Sequence, residues 1–335
     1  MPIKVAINGL GRMGRLVMRQ AWVDPEIEVV AINSRGDTKT YAHLLKHDTS
    51  YGLWSQDVSA PDEKTLQMNG TSVPFFREED PSNCPWGDLD IDVVIESTGV
   101  FRSRKGSEKH LKAGAKMVVI TAPAQDDDLT ITAVNVDQFD AAKHKIVSAA
   151  SCTSNALAPI VKILHDGLGI KHGYLVTTHA YTNDQSLVDA PHKSEDLRRA
   201  RAAGESIIPT STGAAKTIGK LIPELEGKLR GLAMRVPVIL PSVLNLTVEV
   251  KKGTTPEEVN ALFKQASEKQ FKDVLGYSDL PLVSVDHRGS PFAGVFDSLL
   301  TDVVDETQVN VVAWYDNEWG FVSQMMRLIK QIASK

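Results

Sequence analysis

Cysteine is scarce in this chain, with Cys84 and Cys152 the two thiols among 335 residues. So few exclude a disulfide framework, and the absence of C-x-x-C spacing excludes a thiolate metal cage. A reducing cytoplasm is the expected compartment. No apolar run approaches the roughly 20 residues that a membrane helix needs, so no membrane partner is expected. The strand-like run Lys4-Val5-Ala6-Ile7 opens the chain with no charged segment leading into an apolar stretch, and no signal peptide is expected. Positive charge is not in excess: 37 Lys and Arg stand against 42 Asp and Glu, for a net charge of -5. That balance gives no global field to attract nucleic acid as a primary partner. Repeats and low-complexity tracts are absent. The acidic run Asp126-Asp127-Asp128 lacks the carboxylate spacing of metal loops, so it reads as a solvated turn, and no metal site is expected.

What is present fits a two-domain α/β enzyme. The length points to two domains, and 42% hydrophobic with 24% charged residues is ordinary for a globular protein. Short apolar runs alternate with helical spacing in the first half: strands at Ile3 to Ile7, Ile27 to Ile32, Val93 to Ile95, Met117 to Ile120, Ile131 to Val134 and Ile146 to Val147, with a helix over Arg12 to Val23. This order predicts βαβ units and a doubly wound parallel sheet. Beyond residue 150 a helix from Ser151 is followed by longer strands, Gly173 to His179, Leu229 to Val236, Leu244 to Val250 and Val309 to Trp314. A helix over Thr255 to Lys269 and a terminal one over Val322 to Ser334 complete an α+β domain with a mainly antiparallel sheet. The expected domains are 1–150, completed by 315–335, and 151–314.

Gly9-Leu10-Gly11-Arg12-Met13-Gly14 fits G-x-G-x-x-G directly after a strand and at the start of a helix. The first glycine permits the tight turn, the second lets backbone approach a pyrophosphate, and the third lets helix and strand pack closely. The helix N-terminus then offers free N–H groups to phosphate. The second strand ends at Asn33, followed by Ser34 and Arg35, with no carboxylate until Asp37. An acidic residue there would bind the ribose hydroxyls and repel a 2′-phosphate. Its absence leaves both NAD and NADP open, with Ser34 and Arg35 able to accept the phosphate.

Cys152 lies in Ser151-Cys152-Thr153-Ser154-Asn155, at the start of a predicted helix. The positive end of a helix favours a thiolate, the reactive form. His179, at the end of a strand and leading into Ala180-Tyr181-Thr182-Asn183-Asp184-Gln185, can pair with that thiol and shuttle its proton.

Together with Asp196-Leu197-Arg198-Arg199-Ala200-Arg201, Ser211-Thr212-Gly213-Ala214-Ala215-Lys216, Met234-Arg235-Val236-Pro237 and Trp314-Tyr315-Asp316-Asn317-Glu318-Trp319-Gly320, these segments resemble the phosphorylating glyceraldehyde-3-phosphate dehydrogenases, in family order along nearly the whole chain. The resemblance implies that Cys152 attacks an aldehyde, that His179 is the general base, and that inorganic phosphate releases an acyl phosphate from a thioester. It implies Thr182 and Arg235 for the substrate phosphate, and Ser151, Thr153, Arg198, Thr212 and Gly213 for the attacking phosphate. Arg12, Met13, Arg77, Thr98, Gly99, Thr121 and Asn317 would line the cofactor, and the chain would form a homotetramer through a polar loop near 181–205.

The sequence departs from the family pattern in places. Ala149 stands where asparagine is usual, and Ala156 where a second cysteine is usual, which removes a disulfide partner for Cys152. Ser34 replaces the aspartate of NAD-specific members, while Pro191 matches the NAD-type pattern. The rival readings are erythrose-4-phosphate dehydrogenase and a non-catalytic dinucleotide-binding regulatory or RNA-binding protein.

Overall fold

A computed structural model describes residues 1–126, 129–192 and 196–334, so that Asp127 and Asp128 of the acidic run lie outside the described residues. The chain divides into two units, Met1–Ala150 with Met325–Lys335, and Ser151–Gln324. As expected, the first is built on a largely parallel sheet and the second on a mainly antiparallel one.

The first sheet has nine strands in the order Leu129–Thr130, Ile146–Ser148, Met117–Ile120, Val93–Glu96, Ile3–Asn8, Ile27–Asn33, Thr71–Phe76, Thr65–Met68 and Val58–Asp62. Pairing is parallel from the first of these to Thr71–Phe76. It becomes antiparallel across the last two strands, a meander that the sequence reading missed. Val5, Ala6 and Ile7 are all fully buried. Successive strand residues face opposite sides, so both faces of the sheet are covered. Each such Val or Ile side chain contributes about 1.5–3 kcal/mol by leaving water. The strand order reverses about Ile3–Asn8, where an open α/β sheet forms a crevice at its carboxyl ends.

One predicted strand is corrected. Ile131 to Val134 is not extended, and the strand is the shorter Leu129–Thr130. The Asn135 carboxamide accepts from the Thr132 amide at 2.9 Å and donates to the Thr130 carbonyl at 2.9 Å. That side chain offers the backbone a turn in place of a ladder.

The second sheet orders seven strands as Ile208–Ser211, Leu229–Val236, Ile170–Ala180, Ser242–Val250, Gln308–Tyr315, Gly294–Val304 and Leu275–Ser278. Along Ser242–Val250, Leu244, Leu246 and Val248 are buried while Asn245 is exposed, so one face carries the core. The helix Pro256–Glu268 packs there through Phe263, whose ring stacks on Phe296 at 3.9 Å. Its start is fixed by a capping box: the Thr255 hydroxyl accepts from the Glu258 amide, and the Glu258 carboxylate accepts from the Thr255 amide.

Candidate active site

In the second unit, strand register assembles the polar centre. Ile170–Ala180 pairs in parallel with Leu229–Val236 so that His179 lies beside Arg235. Antiparallel pairing sets Ser242 beside Tyr315. The helix Cys152–Leu168 begins there, with Ser151 as its cap, the Oγ accepting from the Ser154 amide at 3.1 Å. A serine cap of this kind stabilises by about 1 kcal/mol. Cys152 is the first helical residue, and its Sγ lies 3.5 Å from His179 Nε2. The structure therefore brings together the two residues expected to form a nucleophile–base pair.

The His179 tautomer follows from its other nitrogen. Nδ1 lies 2.6 Å from the Ala180 carbonyl oxygen, a distance at which two lone pairs would repel. Arg235 Nη1, a donor, also lies 2.9 Å from Nδ1, so its two neighbours make opposite demands on that nitrogen; with the proton in the shorter contact, to Ala180, Nε2 presents its lone pair to the thiol. Arg235 Nη1 donates to the same carbonyl at 3.0 Å and to Thr182 Oγ1 at 3.4 Å, which brings the two expected substrate-phosphate ligands together. Burial pushes the Cys152 thiol up, against which the Arg235 charge draws it down. Burial and the Arg235 charge push the His179 imidazole down to about 3, keeping it neutral and able to accept a proton. A thiolate at Cys152 would face the Arg235 charge.

Tyr315 was not foreseen from sequence. Thr177 Oγ1 donates to the Val243 carbonyl at 3.1 Å, so it accepts from the Tyr315 hydroxyl at 2.7 Å. Tyr315 in turn accepts from Thr153 Oγ1 at 3.0 Å. Thr153 Oγ1 also lies 3.9 Å from Cys152 Sγ. The Tyr315 ring meets His179 edge-on at 6.0 Å. Ser242 accepts from the Ala180 amide at 3.0 Å and donates to Asn317 Oδ1 at 2.8 Å, which orients the buried Asn317 carboxamide.

The arginine pair resolves differently from expectation. Arg198 is a surface residue, 62% exposed and paired with Asp196 at 2.8 Å. Arg199 turns inward, donating to Thr210 Oγ1 at 2.8 Å and to Asp184 at 2.6 Å. Its charge is felt at Arg235. The short 3-10 turn Leu197–Ala200, capped by Asp196, points adjacent side chains in different directions. Thr212 Oγ1 accepts from the Ala214 amide at 3.2 Å, and Gly213 caps the helix Ala214–Leu221 with open space where a side chain would be.

The first unit holds a cleft of about 270 Å³ at the carboxyl ends of its parallel strands, lined among others by Gly9, Gly11, Asn33, Ser34, Arg35 and Thr98. Gly9 has φ +96°, and a side chain there would lie 2.8 Å from Thr98. A Cβ on Gly14 would stand 2.0 Å from the Gly9 carbonyl oxygen, so this close packing demands glycine. At Gly11 it would meet nothing within 4 Å, which leaves backbone open to a pyrophosphate. These features fit a dinucleotide.

Ser34 Oγ accepts from the Leu10 amide at 3.1 Å and bonds the Tyr41 hydroxyl at 2.7 Å, tying the second strand's end to the glycine turn. Arg35 is 74% exposed and lies 3.9 Å from Glu79. Arg12 is paired with Asp48 and lies over the Tyr51 ring. Met13 is half-buried, Gly99 is exposed, and the Thr121 amide donates to the Glu96 carbonyl at 3.0 Å. Arg77 pairs with Glu63 at 3.5 Å and is not among the residues that line this cleft, whereas Glu78 and Glu79 are. The cause is Asn33, whose carboxamide donates to the Glu78 carbonyl at 3.0 Å and accepts from its amide at 2.8 Å, drawing 78–79 over the cleft. Tyr41, Glu78, Glu79 and Phe101 line the cleft without having been expected. Among the described residues no His, Cys, Asp and Glu cluster could hold a metal, and no helix is long and apolar enough to cross a membrane.

Two of the departures from the family pattern, Ala149 and Ala156, are buried. Cys84, the other thiol, is buried, with its pKa pushed up to about 12 by burial.

The second unit holds a thiol in reach of an imidazole beside an arginine, the first holds a glycine-turn cleft, and comparison with known proteins gives both units a family. Residues 3–104 match the model of the glyceraldehyde 3-phosphate dehydrogenase NAD binding domain, and residues 151–317 match that of its C-terminal domain. The chain is 50% identical over 336 residues to glyceraldehyde-3-phosphate dehydrogenase 2 of Bacillus subtilis strain 168, covering 100% of this chain and 98% of the relative. It is 50% identical to glyceraldehyde-3-phosphate dehydrogenase of Geobacillus stearothermophilus, covering 100% and 99%. It is 47% identical to glyceraldehyde-3-phosphate dehydrogenase 3 of a Nostoc species, covering 99% of each. Matched by both domain models and by relatives aligned from end to end, the chain belongs to the glyceraldehyde-3-phosphate dehydrogenase family.

Proposed function

We propose that the chain oxidises D-glyceraldehyde 3-phosphate to 1,3-bisphosphoglycerate, with Cys152 as nucleophile and His179 as base. The 3.5 Å contact between Cys152 Sγ and His179 Nε2 carries this reading. Sulfur adds to the aldehyde carbon as the thiol proton passes through His179 to the carbonyl oxygen, giving a thiohemiacetal. His179 takes the hydroxyl proton as the carbonyl reforms, leaving a thioester on Cys152. A bound nicotinamide dinucleotide, NAD or NADP, supplies the hydride acceptor. Inorganic phosphate attacks the thioester, and the C–S bond breaks to release the acyl phosphate and regenerate the thiol. Arg235 and Thr182 would hold the substrate phosphate. Ser151, Thr153, Thr212 and Gly213 would surround the attacking phosphate. Arg199 replaces Arg198 in this role, since it is the inward arginine.

The test is dinucleotide reduction by the purified protein with glyceraldehyde 3-phosphate, with and without phosphate, using each cofactor. Phosphate-dependent turnover is expected. Arg35 at the cleft leads us to expect NADP to be tolerated beside NAD, and strict rejection of NADP would remove that part. Turnover of erythrose 4-phosphate in preference would replace the substrate assigned here. The relatives are named for glyceraldehyde 3-phosphate, and the assembled thiol centre speaks against the non-catalytic reading.

A second expectation concerns the arginines. Arg199→Ala should raise the KM for phosphate roughly 10- to 100-fold, the scale of a lost charge-assisted hydrogen bond. Arg198→Ala should change it less than about twofold, as for an exposed ion pair. Equal effects in steady-state kinetics would return Arg198 to the site.

A homotetramer in a reducing cytoplasm completes the reading. Leu187, Val188, Leu197 and Ile207 are exposed apolar side chains around the 181–205 loop, as an interface would require. Light scattering that gave a monomer of 36.6 kDa would end that part.

A further inference from the structure

Beneath the dinucleotide cleft lies a buried polar chain that the chemistry above does not use. The parallel register sets Asn33, Asn8 and Glu96 side by side at the carboxyl ends of three neighbouring strands. All three are buried, as is His110. Glu96 Oε2 accepts from Asn8 Nδ2 at 2.5 Å and from His110 Nε2 at 3.1 Å. Oε1 accepts from the Thr98 amide at 2.8 Å and from the Thr98 hydroxyl. Asn8 Oδ1 accepts from Asn33 Nδ2 at 2.8 Å, and Asn33 holds the Glu78 backbone. Asn8, Asn33, Glu78 and Thr98 line the cleft, and one carboxylate terminates the bonds that fix them.

The direction of this chain is set at its far end. Trp86 Nε1 can only donate, and it lies 3.1 Å from His110 Nδ1. Nδ1 must therefore carry a lone pair and Nε2 the proton, which faces Glu96. Every group around Glu96 is a donor, and His110 cannot reverse its tautomer while the indole N–H occupies Nδ1.

We propose that Glu96 is a positioning residue for the dinucleotide, holding Thr98 and Asn8 at the cleft floor through a hydrogen-bond relay whose polarity Trp86 sets. The proposal rests on the reading of the cleft as the dinucleotide site. In Glu96→Gln the amide N–H₂ must meet donors on whichever side it faces, and a buried clash of donors displaces its partners. Trp86→Phe frees His110 Nδ1 to take the proton, so that Nε2 can accept from the new amide.

Calorimetric titration with NAD and with 5′-AMP tests this. Glu96→Gln should bind both about five- to tenfold more weakly, with kcat at saturating NAD within about twofold of the parent. The double variant with Trp86→Phe should bind both more tightly than Glu96→Gln, recovering the part of the loss that arises at His110 while Asn8 remains a donor. A folded Glu96→Gln protein with unchanged affinity and only a lower melting temperature would overturn the positioning role. Absence of rescue would overturn the relay. Should Glu96→Gln fail to fold, ¹⁵N-histidine spectra of the parent protein still decide the polarity: a His110 proton on Nδ1, or an imidazolium, would overturn it. Failure of the parent protein to bind NAD would instead defeat the dinucleotide reading itself.

Discussion

Cys152→Ser is expected to lose phosphate-dependent dinucleotide reduction by on the order of 10⁴-fold or more, the scale seen when a covalent nucleophile is removed. Oxygen can sit where sulfur sits, at the first position of the helix and in reach of His179 Nε2. The chemistry nonetheless changes, because a hydroxyl yields its proton far less readily than a thiol. An oxygen ester also gives phosphate a poorer leaving group than a thioester. Cys152 is not among the residues that line the dinucleotide cleft, so affinity for NAD should stay within about twofold. Turnover and calorimetry on the same preparation check both halves. Residual activity above about 1% of the parent enzyme would mean that Cys152 is not the nucleophile.

His179→Asn should lower kcat roughly 10²- to 10⁴-fold, the range for a positioned general base. It should also move the pH dependence of Cys152, and the sign follows from three influences. Burial raises the thiol, the Arg235 charge lowers it, and an imidazole ready to take the proton favours ionisation further. Asparagine retains the volume but cannot accept that proton, so burial is opposed only by the Arg235 charge and by hydrogen bonds from Thr153 and the backbone. The profile of iodoacetamide alkylation against pH should therefore shift to higher pH in the variant. An unchanged profile would show that His179 does not govern the thiol, whatever the loss in turnover.

Much of the site was legible because it depends on local spacing. The glycine turn needs Gly9 and Gly14 in a strand–turn–helix context, and the observed close approaches are those the motif encodes. Cys152 at a helix start and His179 at a strand end could likewise be read from the pattern. What escaped the sequence depends on register between distant strands or on side-chain direction within short turns. Tyr315 reaches Thr153 and Thr177 from a strand more than a hundred residues away. Arg198 and Arg199 share one turn, and only its geometry decides which faces inward. Glu78 comes to line the cleft because Asn33 fastens its backbone, a pairing without local signature. The short strand Leu129–Thr130 ends where an asparagine side chain outcompetes extension, against the β-branched composition of Ile131 and Thr132.

The pairing of His179 with Arg235 across adjacent parallel strands carries a consequence for how this protein can vary. A strand's side chains alternate between faces, so inserting or deleting one residue anywhere between its anchored start and the site sends the terminal group to the wrong side. Strands Ile170–Ala180 and Leu229–Val236 should then be length-locked in descendants of this chain, even at exposed positions such as Tyr174 and Arg230 where any side chain would do. Changes in length should accumulate instead in the segments that merely connect, and a library of single-codon deletions scored for growth on a gluconeogenic or glycolytic carbon source would draw that boundary residue by residue.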